Sequence, residues 1–103
     1  MRWFDIPEND YRASQVCRVL GNPKAYQILV ELRERGTATP TELAELLHRR
    51  LPTVCCHLRA LREVHLVRYT RSGANAVYRI KGPEVLRAMA AMEKLVLATR
   101  KMP

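Results

Sequence analysis

The chain has 103 residues, of which 48% are hydrophobic, and its 18 basic and 10 acidic side chains give a net charge of +8. This length suits one small domain, and the apolar fraction is too high for a disordered chain. Three cysteines are too few for a disulfide framework, and the excess of positive charge favours a polyanionic partner, either nucleic acid or an acidic membrane.

No targeting or membrane-spanning segment is expected. Residues 1–10 lack the apolar run of a signal peptide. The most apolar late stretch, residues 85–98, is interrupted by Arg87, Glu93 and Lys94 and cannot span a bilayer. We therefore expect a reduced, cytoplasmic protein with an N-terminal extension at 1–10 and one domain at 11–103.

Helix signals begin early in the chain. Asp10 is expected to cap a first helix that ends at Gly21. A second helix is predicted from Asn22-Pro23, with Asn at the cap and Pro at the first position, to Gly36. The apolar positions expected to face the core are Ala13, Val16, Val19 and Leu20 in the first helix and Ile28, Leu29 and Leu32 in the second.

Two further short helices are predicted with a tight turn between them. Residues 39–42, Thr-Pro-Thr-Glu, have the pattern of a capping box and open a helix through Leu43, Leu46 and Leu47. Residues 49–51 form a brief turn, and a helix from Pro52 runs to about Glu63.

A hairpin and a long helix complete the pattern. Alternating residues in 67–70 and 77–80 flank the turn-rich Ser72-Gly73-Ala74-Asn75. After Gly82-Pro83, residues 84 to about 100 carry Val85, Met89, Met92 and Val96 at helical spacing. The predicted fold class is mostly α with a small β-hairpin, a winged helix–turn–helix of five helices.

Basic residues concentrate in the predicted helix–turn–helix and hairpin. Residues 49–81 contain eight basic side chains and one acidic one, whereas residues 1–48 contain six basic and seven acidic ones. The second helix of such a unit can enter the DNA major groove, which is about 12 Å wide, and the hairpin can reach the neighbouring backbone or minor groove. Double-stranded DNA is therefore the expected partner.

Four short motifs together carry a family resemblance. They are Leu20-Gly21-Asn22-Pro23, Ile28-Leu29, Thr41-Glu42-Leu43-Ala44 and residues 52–63, PTVCCHLRALRE. In this combination the chain resembles, over about residues 11–100, the ArsR/SmtB family of bacterial and archaeal metal-responsive repressors. The resemblance implies a homodimer joined by its first and last helices, in which two recognition helices read a palindromic operator.

Five positions depart from the family's pattern. Arg50 stands where the family usually has a capping Ser before the recognition helix, and Cys55-Cys56 replace its Ser-x pair. His65 replaces the Gly that commonly ends this helix, and Ala25 stands where an Arg often follows Asp-Pro. The resemblance suggests that basic DNA contacts are redistributed to other arginines.

The family's usual metal ligands are absent from the sequence. Its arsenic sensors carry Cys-x-Cys in the helix before the recognition helix, and residues 41–47 contain no thiol; its zinc sensors use His on the last helix, which has none here. Cys55, Cys56 and His57 are consecutive, so they point about 100° apart on a helix and cannot converge on one ion. We expect no metal and no cofactor, and the inducer is not indicated.

The recognition helix has an apolar and a polar side. At 100° per residue, Val54, His57, Leu58 and Leu61 share the inner side, while Cys55, Cys56, Arg59 and Arg62 point outward. His57 is expected to be a packed core histidine, and Cys17 of the first helix a small core residue. The sequence leaves open whether Arg59 contacts a guanine edge or only a phosphate. The expected DNA-binding residues are Arg49, Arg50, Thr53, Cys55, Cys56, Arg59, Arg62, Arg68, Arg71 and Arg79.

Two interpretations of the adjacent cysteines stay open. The simpler one is that Cys55 and Cys56 are small side chains tolerated against the bases. The other is a thiol switch, because a helix N-terminus and Arg59 favour thiolate, and modification would add bulk where DNA docks.

The last helix has an apolar stripe too wide to be buried against one small core. This favours an interface with a second copy of the chain. The alternative is that the helix folds back on its own subunit. Trp3, Phe4 and Ile6 would extend the interface.

The expected function is that of a sequence-specific transcriptional repressor. The alternative is a winged-helix module that binds protein, but such a module needs no basic recognition helix. An enzyme such as a thiol oxidoreductase is disfavoured, because adjacent cysteines on a helix have poor dithiol geometry and no Ser/His/Asp set occurs.

Overall fold

Helices make up most of the chain in the computed structural model, which describes residues 5–100. The elements are α1 (Glu8–Leu20), α2 (Pro23–Arg35), α3 (Pro40–Leu47), α4 (Leu51–Glu63), β1 (Val67–Ser72), β2 (Asn75–Ile80) and α5 (Pro83–Arg100). The predicted order of helices around one hairpin is therefore confirmed. Within residues 5–100, no helix is both long enough and apolar enough to cross a membrane.

The start of α1 differs from the prediction. Pro7 occupies the N-cap position without a side-chain capping bond, so the prediction that Asp10 caps this helix is wrong. The carbonyl of Pro7 accepts the N–H of Tyr11 at 2.9 Å and opens the helix. Asp10 lies with Glu8 in the first turn, where a carboxylate interacts favourably with the positive end of the helix dipole and stabilises the helix.

The predicted boundaries of α2 and α3 are confirmed by their capping bonds. Asn22 Oδ1 accepts the N–H groups of Lys24 and Ala25 at 2.9 and 3.3 Å. Gly36 ends α2 with a φ of 86°, which a residue with a Cβ rarely adopts. Thr39 and Glu42 form the reciprocal capping box, with bonds of 2.8 and 3.2 Å.

Two histidines hold left-handed backbone, each just after the C-terminal end of one helix of the helix–turn–helix. His48 ends α3 with a φ of 52°, and His65 follows α4 with a φ of 62°. Non-glycine residues in this region carry steric strain. The helix α4 begins at Leu51, one residue before the predicted Pro52, and no side chain caps it at Arg50.

One hydrophobic core joins the elements. Its fully enclosed members include Ile28, Leu29 and Leu32 of α2, Leu43 of α3, Val54, Leu58 and Leu61 of α4, and Met89 of α5. Val19 is the buried residue of α1, with Val16 and Leu20 packed partly against the core. Cys17 is exposed, so the prediction that it is a core residue is wrong; it points away from the α1 face that packs on α2.

The hairpin is antiparallel with Val67 opposite Ile80 and Ser72 opposite Asn75. Gly73 supplies the positive φ of 63° that its tight turn requires. Ala38, just before α3, exchanges backbone hydrogen bonds of 3.1 and 2.8 Å with Tyr78. This bridge fixes the hairpin beside the helix–turn–helix.

Candidate nucleic-acid interface

The two sides of α4 separate as the helical angles predict. Val54, Leu58 and Leu61 are buried against the core, and α4 packs on both α2 and α3. Cys55, Cys56, Arg59 and Arg62 are exposed on the other side. The core therefore presents this outward face in a fixed orientation. We call these four residues the outer face of α4.

Intramolecular contacts hold the two arginines of the outer face. Arg59 Nε donates to Glu63 Oε1 at 3.2 Å within the same helix. The guanidinium of Arg62 lies over the ring of Tyr69, 5.1 Å from its centroid. Exposed ion pairs and cation–π contacts of this kind are worth about 1 kcal/mol or less. Either arginine can exchange its partner for a phosphate or a base at small cost.

The hairpin distributes its three arginines between two faces. Arg71 shares the face of Tyr69 and Tyr78, whose rings lie 5.2 Å apart. Since Arg62 contacts Tyr69, Arg71 continues the surface of α4 toward the hairpin tip. Arg68 and Arg79 are direct cross-strand partners on the opposite face. The structure therefore groups Arg71 with the outer face of α4 and places Arg68 and Arg79 apart from it.

Two of the expected DNA-binding arginines also support the fold. Arg49 is half-buried and donates from an Nη to Gln27 Oε1 of α2 at 3.2 Å. Arg79 is half-buried and donates to Thr70 Oγ1 at 3.4 Å. The Nε of each is enclosed without a hydrogen-bond partner in the part of the chain that the structure describes. Arg49 thereby fastens the turn between α3 and α4 to α2.

The N-terminus of α4 is open to an anion. Arg50 is exposed, Thr53 is half-exposed, and the first turn contains no acidic residue. The first N–H groups of a helix lack intrahelical acceptors and carry the positive end of the dipole. Because no side chain caps them here, they are available to a phosphate oxygen.

His57 lies at the boundary between the two sides of α4. His57 is half-buried, so the prediction that it is a packed core histidine is wrong, and its side chain is only partly enclosed. Burial lowers the pKa of His57 below its usual value, and the positive charges of Lys24 and Arg49 lower it further. Lys24 was missed because sequence reasoning confined the basic surface to residues 49–81. The sequence signal that could have found Lys24 is its position just after Asn22-Pro23, in the first turn of α2.

The three cysteines are free and exposed. Arg59 pairs with Glu63 and not with the thiols of Cys55 or Cys56. Among residues 5–100, no group of three or more His, Cys, Asp or Glu side chains could hold a metal ion.

Comparisons with known proteins agree with this geometry. The profile of a family described as "Bacterial regulatory protein, arsR family" matches residues 22–69, from the N-cap of α2 into β1. A crystal structure of a possible transcriptional regulatory protein from Mycobacterium bovis is 28% identical, covering 86% of this chain and 95% of that chain, with a TM-score of 0.79.

Two further solved structures are similar. One is the solution NMR structure of a homodimeric winged helix-turn-helix DNA-binding domain from Mycobacterium bovis, a possible ArsR-family regulator. It is 29% identical, covers 89% of this chain and 82% of that chain, and has a TM-score of 0.77. The other, Rv0081 of Mycobacterium tuberculosis, is 25% identical with coverage of 93% and 98% and a TM-score of 0.80. No curated protein sequence matches the chain.

Proposed function

We propose that this chain is a non-enzymatic transcriptional repressor of the arsR family of bacterial regulatory proteins, because residues 22–69 match the profile of that family and a winged helix-turn-helix DNA-binding domain is similar in structure. In this proposal a homodimer binds a palindromic operator in the cytoplasm. The observation that carries it is the outer face of α4, which is exposed, basic and continuous with Arg71 at the hairpin tip.

The proposed docking places α4 in the major groove. Cys55, Cys56, Arg59 and Arg62 then face base edges, and Arg50, Thr53 and the open N-terminus of α4 face a phosphate. Arg71 reaches the adjacent backbone or minor groove. Arg49 acts by holding the turn between α3 and α4 in place. Arg68 and Arg79 add positive charge from the other face of the hairpin. Because these two like charges are direct cross-strand partners and repel each other, a nearby polyanion stabilises the pair.

The proposed homodimer uses the apolar surface that the single chain leaves exposed. Leu95, Val96 and Leu97 of α5 are 61%, 54% and 59% exposed, and an apolar depression beside them is lined by Tyr26 and Met92. A contiguous apolar surface of this kind marks an interface. A two-fold partner that packs α1 and α5 against their copies would cover it and present two α4 helices. Of the N-terminal residues expected to extend this contact, Ile6 is exposed, while Trp3 and Phe4 lie outside the described residues.

The proposal assigns a switching role to Cys55 and Cys56. Both thiols are exposed where DNA would dock. Alkylation adds a carbon substituent to sulfur, and peroxide converts a thiol to a sulfenic acid with release of water. Either product adds bulk to the docking face. A Cys55→Ser/Cys56→Ser variant should keep its operator affinity under peroxide or an alkylating reagent that releases the wild type, and an equal response in both proteins would exclude this role.

The experiment that tests the function is selection of bound duplexes from a random DNA pool, followed by titration of the selected site at several salt concentrations. Arg71→Ala should weaken all sequences about equally and reduce the slope of log affinity against log salt by about one. Arg87→Ala, on the exposed surface of α5, is the charge-matched control and should keep the slope. A folded dimer that selects no duplex would contradict the proposal in favour of a protein-binding module.

A further inference from the structure

A groove of about 510 Å³ lies between α1 and the end of α4. Arg12, Gln15 and Arg18 line it from α1, and Glu63, Val64 and His65 line it from the end of α4 and the residues that follow. Its volume lies within the range of small-molecule sites, about 300–1,000 Å³. A smaller depression of about 140 Å³ shares Arg18, Glu63 and Val64 and continues toward His57.

The charges of this groove are unbalanced. No carboxylate of residues 5–100 forms an ion pair with Arg12 or Arg18. Arg18 Nε donates to the neutral Gln15 at 3.1 Å, and the acidic Glu63 is already paired with Arg59. Two guanidinium groups with no paired carboxylate therefore line one concave surface.

The groove also has apolar walls. Ala13 and Val16 of α1 face Val64 across it. Guanidinium groups bind carboxylates and phosphates through paired N–H donors, while the apolar walls suit a hydrophobic body. The ligand class that satisfies both features is a small organic anion with an aromatic or aliphatic body.

We propose that this groove binds such an anion and that the ligand is a signal that releases the operator, separate from modification of the thiols. The second half rests on the proposed function. The groove separates α1, which the proposal places in the dimer contact, from α4, which it places in the DNA. His65 borders the groove and connects α4 to β1 with a left-handed φ of 62°. A ligand between α1 and α4 acts on affinity for DNA if it fits one arrangement of these helices better than the other.

The binding experiment is calorimetric titration of the full chain without DNA. The probe is 1-naphthoate, and its neutral counterpart is 1-naphthamide. We expect naphthoate to bind and the amide to bind about tenfold more weakly, since a hydrogen bond to a charged group contributes about that much. Arg12→Gln/Arg18→Gln should lose at least tenfold in naphthoate affinity by the same reasoning, whereas Arg87→Gln on α5 should match the wild type. Equal binding of amide and acid, equal binding by the double variant, or no binding at all overturns the site.

The release experiment uses the selected operator. Saturating naphthoate should weaken operator binding by the wild type and leave that of Arg12→Gln/Arg18→Gln unchanged. If naphthoate binds but both proteins keep their operator affinity, the groove is a ligand site without a role in release, and that part of the proposal is overturned. If no operator is selected, the calorimetric result still decides the site, so failure of the two proposals is distinguishable.

Discussion

The outer face of α4 and the exposed face of α5 place opposite chemistry on the surface. α4 buries Val54, Leu58 and Leu61 and exposes arginines and thiols, whereas α5 buries Val85 and Met89 and leaves leucines exposed. Water solvates the polar outer face of α4 well, whereas exposure of the apolar α5 surface to water is unfavourable. The chain therefore offers one surface for a polyanion and another for an apolar partner, and each can be altered without touching the other.

The largest effect is expected from placing a charge on the α5 surface. Val96→Glu introduces a carboxylate beside Leu95 and Leu97 and should convert the dimer to a monomer at micromolar concentration. Because two linked α4 helices gain at least about 100-fold from simultaneous binding, operator affinity should fall by that order. Sedimentation and operator titration measure the two outcomes. Lys94→Glu, an exposed position of the same helix, should remain dimeric, and a dimeric Val96→Glu would show that α5 is not the interface.

The second prediction tests the α4 side of the comparison. Arg59→Ala removes an exposed side chain whose partner is Glu63 of the same helix, so the fold should keep its stability within about 0.5 kcal/mol. Loss of a base contact should cost about tenfold at one position of the operator and relax sequence preference there. Repeating the duplex selection with the variant measures this. Unchanged affinity and preference would remove Arg59 from the interface.

Local signals explain why so much of the fold was predictable. The caps at Asn22 and Thr39, the stop at Gly36 and the turn at Gly73 each depend on residues within three or four positions. The two sides of α4 follow from helical angle alone. The order of elements and the exposure of Cys55, Cys56, Arg59 and Arg62 could therefore be inferred from the sequence.

The features that were missed depend on distant contacts. Arg49 is tied to Gln27, which lies 22 residues away, and Arg79 to Thr70 across the hairpin. The assignment of Arg71 and Arg68 to opposite hairpin faces required the strand register and the contact of Arg62 with Tyr69. Cys17 is exposed because of the angle through which α1 is rotated about its own axis where it packs on α2. Hydrophobic periodicity predicts that angle only to within about one residue. The groove between α1 and α4 has no sequence signature.

A smaller effect is expected just beyond the C-terminal end of α4. His65 holds a left-handed φ between α4 and β1, at the position where the family pattern has glycine. His65→Gly removes the strain of about 1–2 kcal/mol but increases unfolded-state entropy, so the free energy of unfolding should rise by about 0.5–1 kcal/mol. Ala90→Gly, at an exposed position of α5, should lower the free energy of unfolding by about 1 kcal/mol. Denaturant titration measures both, and a destabilised His65→Gly would mean that the His65 side chain stabilises the fold.

The smallest effect is a pH dependence carried by His57. Burial, followed by the charges of Lys24 and Arg49, lowers its pKa in the folded protein from the ordinary value of 6.5. The unfolded chain therefore binds more protons than the folded chain at acidic pH. The stability is fully present above pH 6.5 and declines as the pH falls below that value toward the folded-state pKa. Denaturant titrations between pH 7.5 and 5 should give a flatter profile for His57→Gln than for the wild type. Lys24→Gln, which removes only one of the contributing charges, should flatten it less. An identical slope in the wild type and His57→Gln would show that neither burial nor the positive charges of Lys24 and Arg49 measurably disfavour the imidazolium form of His57.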